Sequence, residues 1–128
     1  MSELYISPYS VSIAQKIVKD YFQTVMGHRS DVLMYYAHDA YLQWDGKDYH
    51  GHGEIQSFFE QLPAQVTFYI TGFDVQSVSE TDLLTMLVVF GSYQMPGARM
   101  QDFHCSFFIQ SHNENALAII KSQCFSCF

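Results

Sequence analysis

The sequence predicts an α+β domain in which helices come first and an antiparallel sheet follows, and three observations carry that prediction. Apolar residues recur at helical spacing from Ala14 to Met26, and again, over a shorter run, from Ile55 to Leu62. From Val66 onward the texture changes to long β-type stretches joined by short connections. Helices grouped ahead of strands is the order of a fold whose helices cover one face of a sheet. At 128 residues the chain has room for one core, so residues 1–128 read as one domain.

Ser7 or Ser10 can cap the first helix, with Pro8 as its first residue if Ser7 is the cap. Ala14, Ile17, Val18, Tyr21, Phe22, Val25 and Met26 form its apolar stripe, and Gly27 is placed to stop it. Ser30 offers a second cap, for a short segment over 31–36. Residues 40–44 are strand-like. The following Asp45-Gly46 predicts a type I′ hairpin turn, because both residues tolerate positive φ, and 48–50 would return as a short strand. Gly51 and Gly53 precede a further helix whose buried stripe is Ile55, Phe58, Phe59 and Leu62, with Pro63 at its exit. Residues 66–78, 83–95, 100–111 and 116–127 are the long strands. Pro96-Gly97 turns the second into the third and 112–115 turns the third into the fourth, which predicts an antiparallel meander.

Composition narrows the function classes. Six Lys and Arg against thirteen Asp and Glu give a net charge of -7, with no basic stripe, so direct nucleic-acid binding is not expected. A basic protein surface suits this charge better. Cys105, Cys124 and Cys127 lack the second spaced pair of a zinc site and read as reduced cysteines of a core or interface. No secretory signal is visible and the longest apolar run is far short of a membrane span, so the chain is expected in the cytosol or nucleus and away from membranes.

An antiparallel sheet with one wet face should alternate apolar and polar residues, and these strands do so only in part. Met86, Val88 and Phe90 share one face, with Leu83, Thr85, Leu87, Val89 and Tyr93 on the other. The next strand sets Phe103, Cys105, Phe107 and Ile109 against His104, Ser106 and Phe108. The last sets Leu117, Ile119, Gln123 and Phe125 against Ala118, Ile120, Ser122, Cys124 and Ser126. One face can pack on the helices. The other is too apolar for water and has the mixture of Phe, Met, Cys, His and Ser found in protein interfaces. Its alternative cover is the chain itself, through the strand that starts at Val66 or a C-terminal tail.

Several short motifs then carry a resemblance. Tyr41-Leu42-Gln43-Trp44-Asp45-Gly46, Gly51 and Ser57-Phe58-Phe59-Glu60-Gln61-Leu62-Pro63 are followed by Leu87-Val88-Val89-Phe90-Gly91-Ser92, Gln101-Asp102-Phe103-His104-Cys105-Ser106-Phe107 and Cys124-Phe125. In that order they resemble nuclear transport factor 2-like domains, and among them the p15-type small subunits of the messenger RNA export receptor. The resemblance implies a cone-shaped fold with N-terminal helices packed on a strongly bent antiparallel sheet. It also implies heterodimerisation of the open face with the nuclear transport factor 2-like domain of a large export receptor. The chain would then be a non-enzymatic accessory subunit without cofactor or metal. It would shuttle between nucleus and cytoplasm, with nucleoporins met through the complex. The expected partner-facing residues are Met86, Val88, Phe90, His104, Ser106, Phe108, Cys124 and Ser126.

Two departures qualify this expectation. The homodimeric transport factors of the family carry an acidic cluster, used toward the GTPase Ran, in the loop that here reads Met95-Pro96-Gly97-Ala98-Arg99 without carboxylates. The p15-type subunits place an arginine, paired with an acid of the receptor, where this chain has Ser126.

A homodimeric nuclear transport factor, disfavoured by the loop from Met95 to Arg99, is one alternative; an enzyme or small-molecule binder of the same fold is the other, and it requires a closed cavity with paired carboxylate and His or Tyr groups. Asp39, Tyr41, Asp45, Asp102 and His104 are its candidates. Asp45 is accounted for by its turn, and Asp39 and Asp48 look solvent-facing. Asp102 and His104 share a strand face and could in principle form a relay or metal pair with His50 or His52, but interface hydrogen bonding is the better explanation of them. Trp44 reads as core or pocket lining. His50 and His52 lack a third ligand at metal spacing.

Overall fold

Residues 8–79, 84–110 and 119–127 are described by the computed structural model of the chain. Helix α1 spans Pro8–Gly27, so Pro8 is its first residue as expected, while Ser7 lies outside the described residues. Ala14, Ile17, Tyr21, Phe22 and Val25 are buried along one stripe, and Val18 and Met26 pack beside them. The next segment is a 3-10 helix, Arg29–Tyr35, and Ser30 is not its cap. Arg29 fastens this corner instead. Its guanidinium donates to the carbonyls of Val25 at 3.2 Å, Phe59 at 3.2 Å, Pro63 at 2.9 Å and Leu62, so one cation meets the negative ends of both α-helices.

Strand β1, Tyr36–Trp44, begins earlier than its sequence pattern suggested and pairs with β2, Lys47–His50. The turn between them is as predicted, with Asp45 at φ 50 and Gly46 at φ 87. Helix α2, Gly51–Gln61, takes both glycines into its first turn and buries Ile55, Phe58 and Phe59. The backbone N–H of His50, which precedes it, donates to Glu54 Oε1 at 2.9 Å.

Strands β3, Thr67–Ser79, β4, Leu84–Gln94, β5, Gln101–Gln110, and β6, Ile119–Cys127, follow. Ala98 N–H bonds the Met95 carbonyl at 3.1 Å and Gly97 sits at φ 75, which is the predicted Pro96-Gly97 turn. The 112–115 turn lies outside the described residues.

The sheet has six strands in the order β2-β1-β6-β5-β4-β3. It is mixed rather than purely antiparallel, because β1 and β6 run parallel. A parallel pair needs a long crossover, and here everything between β1 and β6 supplies it. Register shifts fall between Tyr36 and Tyr41, Ile70 and Gly72, Ser77 and Ser79, and Phe108 and Ile109. Such bulges bend a sheet, in keeping with the cone-like arrangement.

The bulge at Lys121 corrects two parities, those of Ile120 and of Ile119, which pairs with Gln110 on the open-face parity. Ile109 faces Ile120 while Phe108 faces Ser122, so Ile120 is fully buried on the inner face with Gln123 and Phe125. A strict two-residue alternation had placed it with Ser122 and Cys124; the extra residue reverses the phase. Leu83, Leu117 and Ala118 lie outside the described residues. Trp44 is a core residue, 8% exposed and stacked on Phe125 with ring centroids 3.9 Å apart, and Phe103 stacks on the other side of Phe125 at 4.9 Å.

Candidate protein interface on the open sheet face

Residues directly opposite one another on paired strands share a face, so the registers map the side of the sheet away from the helices. One transverse row reads Tyr41, Ser122, Phe108, Met86 and Gln76, with His50 joining beside Tyr41. The next reads Asp48, Gln43, Cys124, Ser106, Val88 and Asp74. A third reads Ser126, His104, Phe90 and Gly72, and a fourth reads Asp102, Ser92 and Tyr69. All eight residues expected to face a partner lie in the first three rows. Met86, Val88, Phe108, Cys124, His104, Ser106 and Ser126 are half-buried and Phe90 is 38% exposed.

Half-burial here comes from neighbours on the same face. Phe73, Val75 and Cys127, partly buried apolar side chains of the long strands that pack against the core, have the opposite parity, whereas Met86, Val88, Phe90 and Phe108 are not among the core-packed side chains. β3 lies in the sheet beside β4 and extends the face instead of folding over it. Phe90 leans across the sheet edge, since a Cβ at Gly72 would stand 3.5 Å from its ring. Tyr41 is 57% exposed and stacks on His50 at 4.2 Å with the rings 9° from parallel. Beside them Gln43 accepts from Cys124 Sγ at 3.1 Å and donates to Asp48 Oδ1 at 3.1 Å. The result is an apolar centre of Met86, Val88, Phe90 and Phe108 with polar flanks. Sequence reasoning missed the flanks, Tyr41, Gln43, Asp48 and His50 on one side and Tyr69, Asp74 and Gln76 on the other. Their alternation was visible, but nothing local said that β1 joins β6.

The candidates for chemistry do not converge. Asp39 pairs with Lys121 at 3.6 Å, and the Asp45 N–H holds the Phe125 carbonyl at 2.9 Å. Asp102 accepts from Ser92 Oγ at 3.2 Å. His52 lies 2.9 Å from the Tyr36 carbonyl and edge-on to His38. β1 and β6 separate His50 from His104, three strand steps or roughly 14 Å across the sheet, and the two also lie two rows apart along the strands. Among the described residues no group of three or more His, Cys, Asp or Glu could hold a metal ion, and no helix is long and apolar enough to cross a membrane. A cleft of about 280 Å³ runs beside the 3-10 helix and α2, but the Arg29 guanidinium at its wall is already engaged by backbone carbonyls.

The interior between α1 and the sheet holds a polar ring that sequence reasoning also missed. Tyr21 and Tyr36 hydroxyls are 2.7 Å apart, Tyr36 donates to Gln123 Oε1, and Gln123 Nε2 donates to Tyr21 Oη at 3.1 Å and Cys105 Sγ at 3.2 Å. Burial pushes both phenols and the Cys105 thiol well above their ordinary ranges, so all stay neutral. A neutral, mutually bonded ring offers neither a poised base nor a nucleophile at neutral pH. A glutamine at inner parity between Ile120 and Phe125 was the available signal.

Comparison with known proteins places this geometry in a family. The model of the Nuclear transport factor 2 (NTF2) domain matches residues 13–123. The chain is 28% identical over 100 residues to NTF2-related export protein 1 of Schizosaccharomyces pombe, covering 77% of this chain and 85% of that protein. Among solved structures it is similar to nuclear transport factor 2 from Cryptosporidium parvum, with a TM-score of 0.82, 21% identity, and coverage of 98% of this chain and 100% of that one. It is also similar to a chain of the Candida albicans Mtr2-Mex67 M domain complex, with a TM-score of 0.72, 13% identity, and coverage of 92% and 94%. At these identities the two structures share the fold. The family match spans most of α1, all of α2 and the sheet as far as Gln123 of β6: this chain belongs to the nuclear transport factor 2 domain family.

Proposed function

We propose that this chain is the small, non-enzymatic subunit of a heterodimer whose other half is the nuclear transport factor 2-like domain of a messenger RNA export receptor. The observation that carries the reading is the apolar centre of Met86, Val88, Phe90 and Phe108, which no described residue covers, in a chain similar to an NTF2-related export protein. Water is a poor neighbour for four adjacent large apolar groups, and a second sheet face is the matching cover. His104, Ser106, Cys124 and Ser126 border that centre and supply its hydrogen-bonding groups. Similarity to a chain of the Mtr2-Mex67 M domain complex supports the same partner class.

In this reading the chain stabilises the receptor and touches neither RNA nor membrane. Nucleoporins are met through the complex, which shuttles between nucleus and cytoplasm. The bonded, neutral interior supports a binding role over a catalytic one. Ser126, where p15-type subunits carry an arginine, requires that the pairing differ in its polar detail.

Co-expression with the nuclear transport factor 2-like domain of the export receptor encoded in the same genome tests the proposal. A 1:1 complex on sedimentation is expected. A chain that stays a well-folded monomer beside that domain, and binds no dye for exposed apolar surface, refutes it.

A further inference from the structure

Charge on the open face says what kind of surface covers it. The face carries Asp48, Asp74 and Asp102 at ladder positions, and every Lys, Arg, Asp or Glu at a ladder position of this face is one of these three; Asp39 and Lys121 sit in the bulges of β1 and β6 and pair with each other. The six Lys and Arg of the chain all fall within described residues, so their placement is complete. Lys16 and Lys19 are on α1, and Arg29 is bound to helix carbonyls. Lys47 lies opposite Trp44 on the inner parity, and Arg99 is in the turn after β4. Lys121 occupies the β6 bulge and pairs with Asp39 at 3.6 Å.

That leaves Asp48, Asp74 and Asp102, of which Asp48 and Asp102 accept hydrogen bonds from the neutral side chains of Gln43 and Ser92. Asp48 and Asp74 stand at the two ends of one row, five strand steps or roughly 24 Å apart along the sheet. Such a distance exceeds the screening length of about 8 Å at physiological salt, so each carboxylate is felt locally. The imidazoles on the face are His50 and His104.

We propose that the partner's facing surface is an apolar patch rimmed with Lys or Arg, placed against Asp48, Asp74 and Asp102, and that the same three carboxylates keep two copies of this chain from pairing through this face. The proposal rests on the reading of the face as a heterodimer interface and names the chemistry of its occupant. Two copies brought face to face set these carboxylates against carboxylates or neutral groups, and the one cation near the face, Lys121, is already paired with Asp39. Like charges at an interface exclude wrong partners, and complementary ones steer the right partner.

The test uses the co-expressed complex with the receptor domain and a triple variant, Asp48→Asn, Asp74→Asn and Asp102→Asn, which keeps shape and removes charge. A second triple variant on the helical side, Asp20→Asn, Asp31→Asn and Glu60→Gln, changes net charge equally. Affinity of the first variant is expected to fall about tenfold at 50 mM salt, with the difference vanishing at 500 mM, while the second matches wild type. The first variant alone is expected to self-associate at lower concentration than wild type on sedimentation. Unchanged affinity, salt dependence and self-association in the first variant, with Phe108→Glu still abolishing binding, overturn the charge proposal and leave the interface standing. Normal binding by Phe108→Glu removes the interface reading itself, and this proposal with it.

Discussion

Replacing Gln123 with leucine tests the ring that holds the sheet to α1. Gln123 is 3% exposed and accepts from Tyr36 while donating to Tyr21 and Cys105. Leucine fills nearly the same space, so the packing loss is small. The 2.7 Å bond between the two hydroxyls survives and satisfies one of their protons, leaving the other buried without an acceptor. An orphaned buried donor costs about 1–3 kcal/mol, a large share of the roughly 5–15 kcal/mol that keeps a domain folded. The melting temperature should fall by about 8 °C, with a matching loss in urea titration. Adding Tyr21→Phe and Tyr36→Phe removes every member of the ring that needs a partner, and the triple variant should return to within about 1 kcal/mol of wild type. A Gln123→Leu protein as stable as wild type, or a triple variant less stable than the single one, refutes the reasoning.

Alkaline pH should unfold the chain through the same groups. Folded-state values of Tyr21, Tyr36, Tyr93 and Cys105 are raised by burial, so the unfolded chain releases their protons first. Their contribution to stability is therefore intact below about pH 9 and is lost as pH rises beyond the ordinary thiol and phenol range near 9–10. Ultraviolet titration should show these phenols ionising only together with the loss of circular dichroism; ionisation within a folded protein contradicts this. Gly91→Ala places a Cβ 2.0 Å from the Tyr69 carbonyl oxygen, a backbone atom, so β3 must shift from β4 at its bulge. A loss of about 3 kcal/mol in urea titration is expected, and an unchanged midpoint would show that the strand yields freely.

Much of the fold was legible because its signals are local. The α1 stripe, Asp45-Gly46 and Pro96-Gly97 each state their conformation within a few residues, and the parity of β4 and β5 followed from simple alternation. What was not legible depends on distant partners. The parallel pairing of β1 with β6 joins residues far apart in the chain, and the Lys121 bulge reverses the phase of β6, so Ile119 and Ile120 were assigned to the wrong faces. Ser30 looked like a helix cap because its residue type favours one. Arg29 does the fastening through carbonyls at and just beyond the end of α2 that no local pattern reveals. The apolar centre of the face was readable in two strands, β4 and β5, whereas its acidic rim, drawn from β2, β3 and β5, emerged only with strand order.

Affinity for the export-receptor domain, measured for Phe108→Glu beside Met34→Glu, tests the central claim most directly. Phe108 lies in the middle of the open face between Met86 and Ser122, while Met34, 64% exposed, is on the 3-10 helix. The account predicts that a carboxylate buried at Phe108 weakens binding more than about 100-fold and that Met34→Glu leaves it unchanged. Wild-type affinity in a folded Phe108→Glu protein, or its loss in Met34→Glu alone, would contradict the assignment of this face.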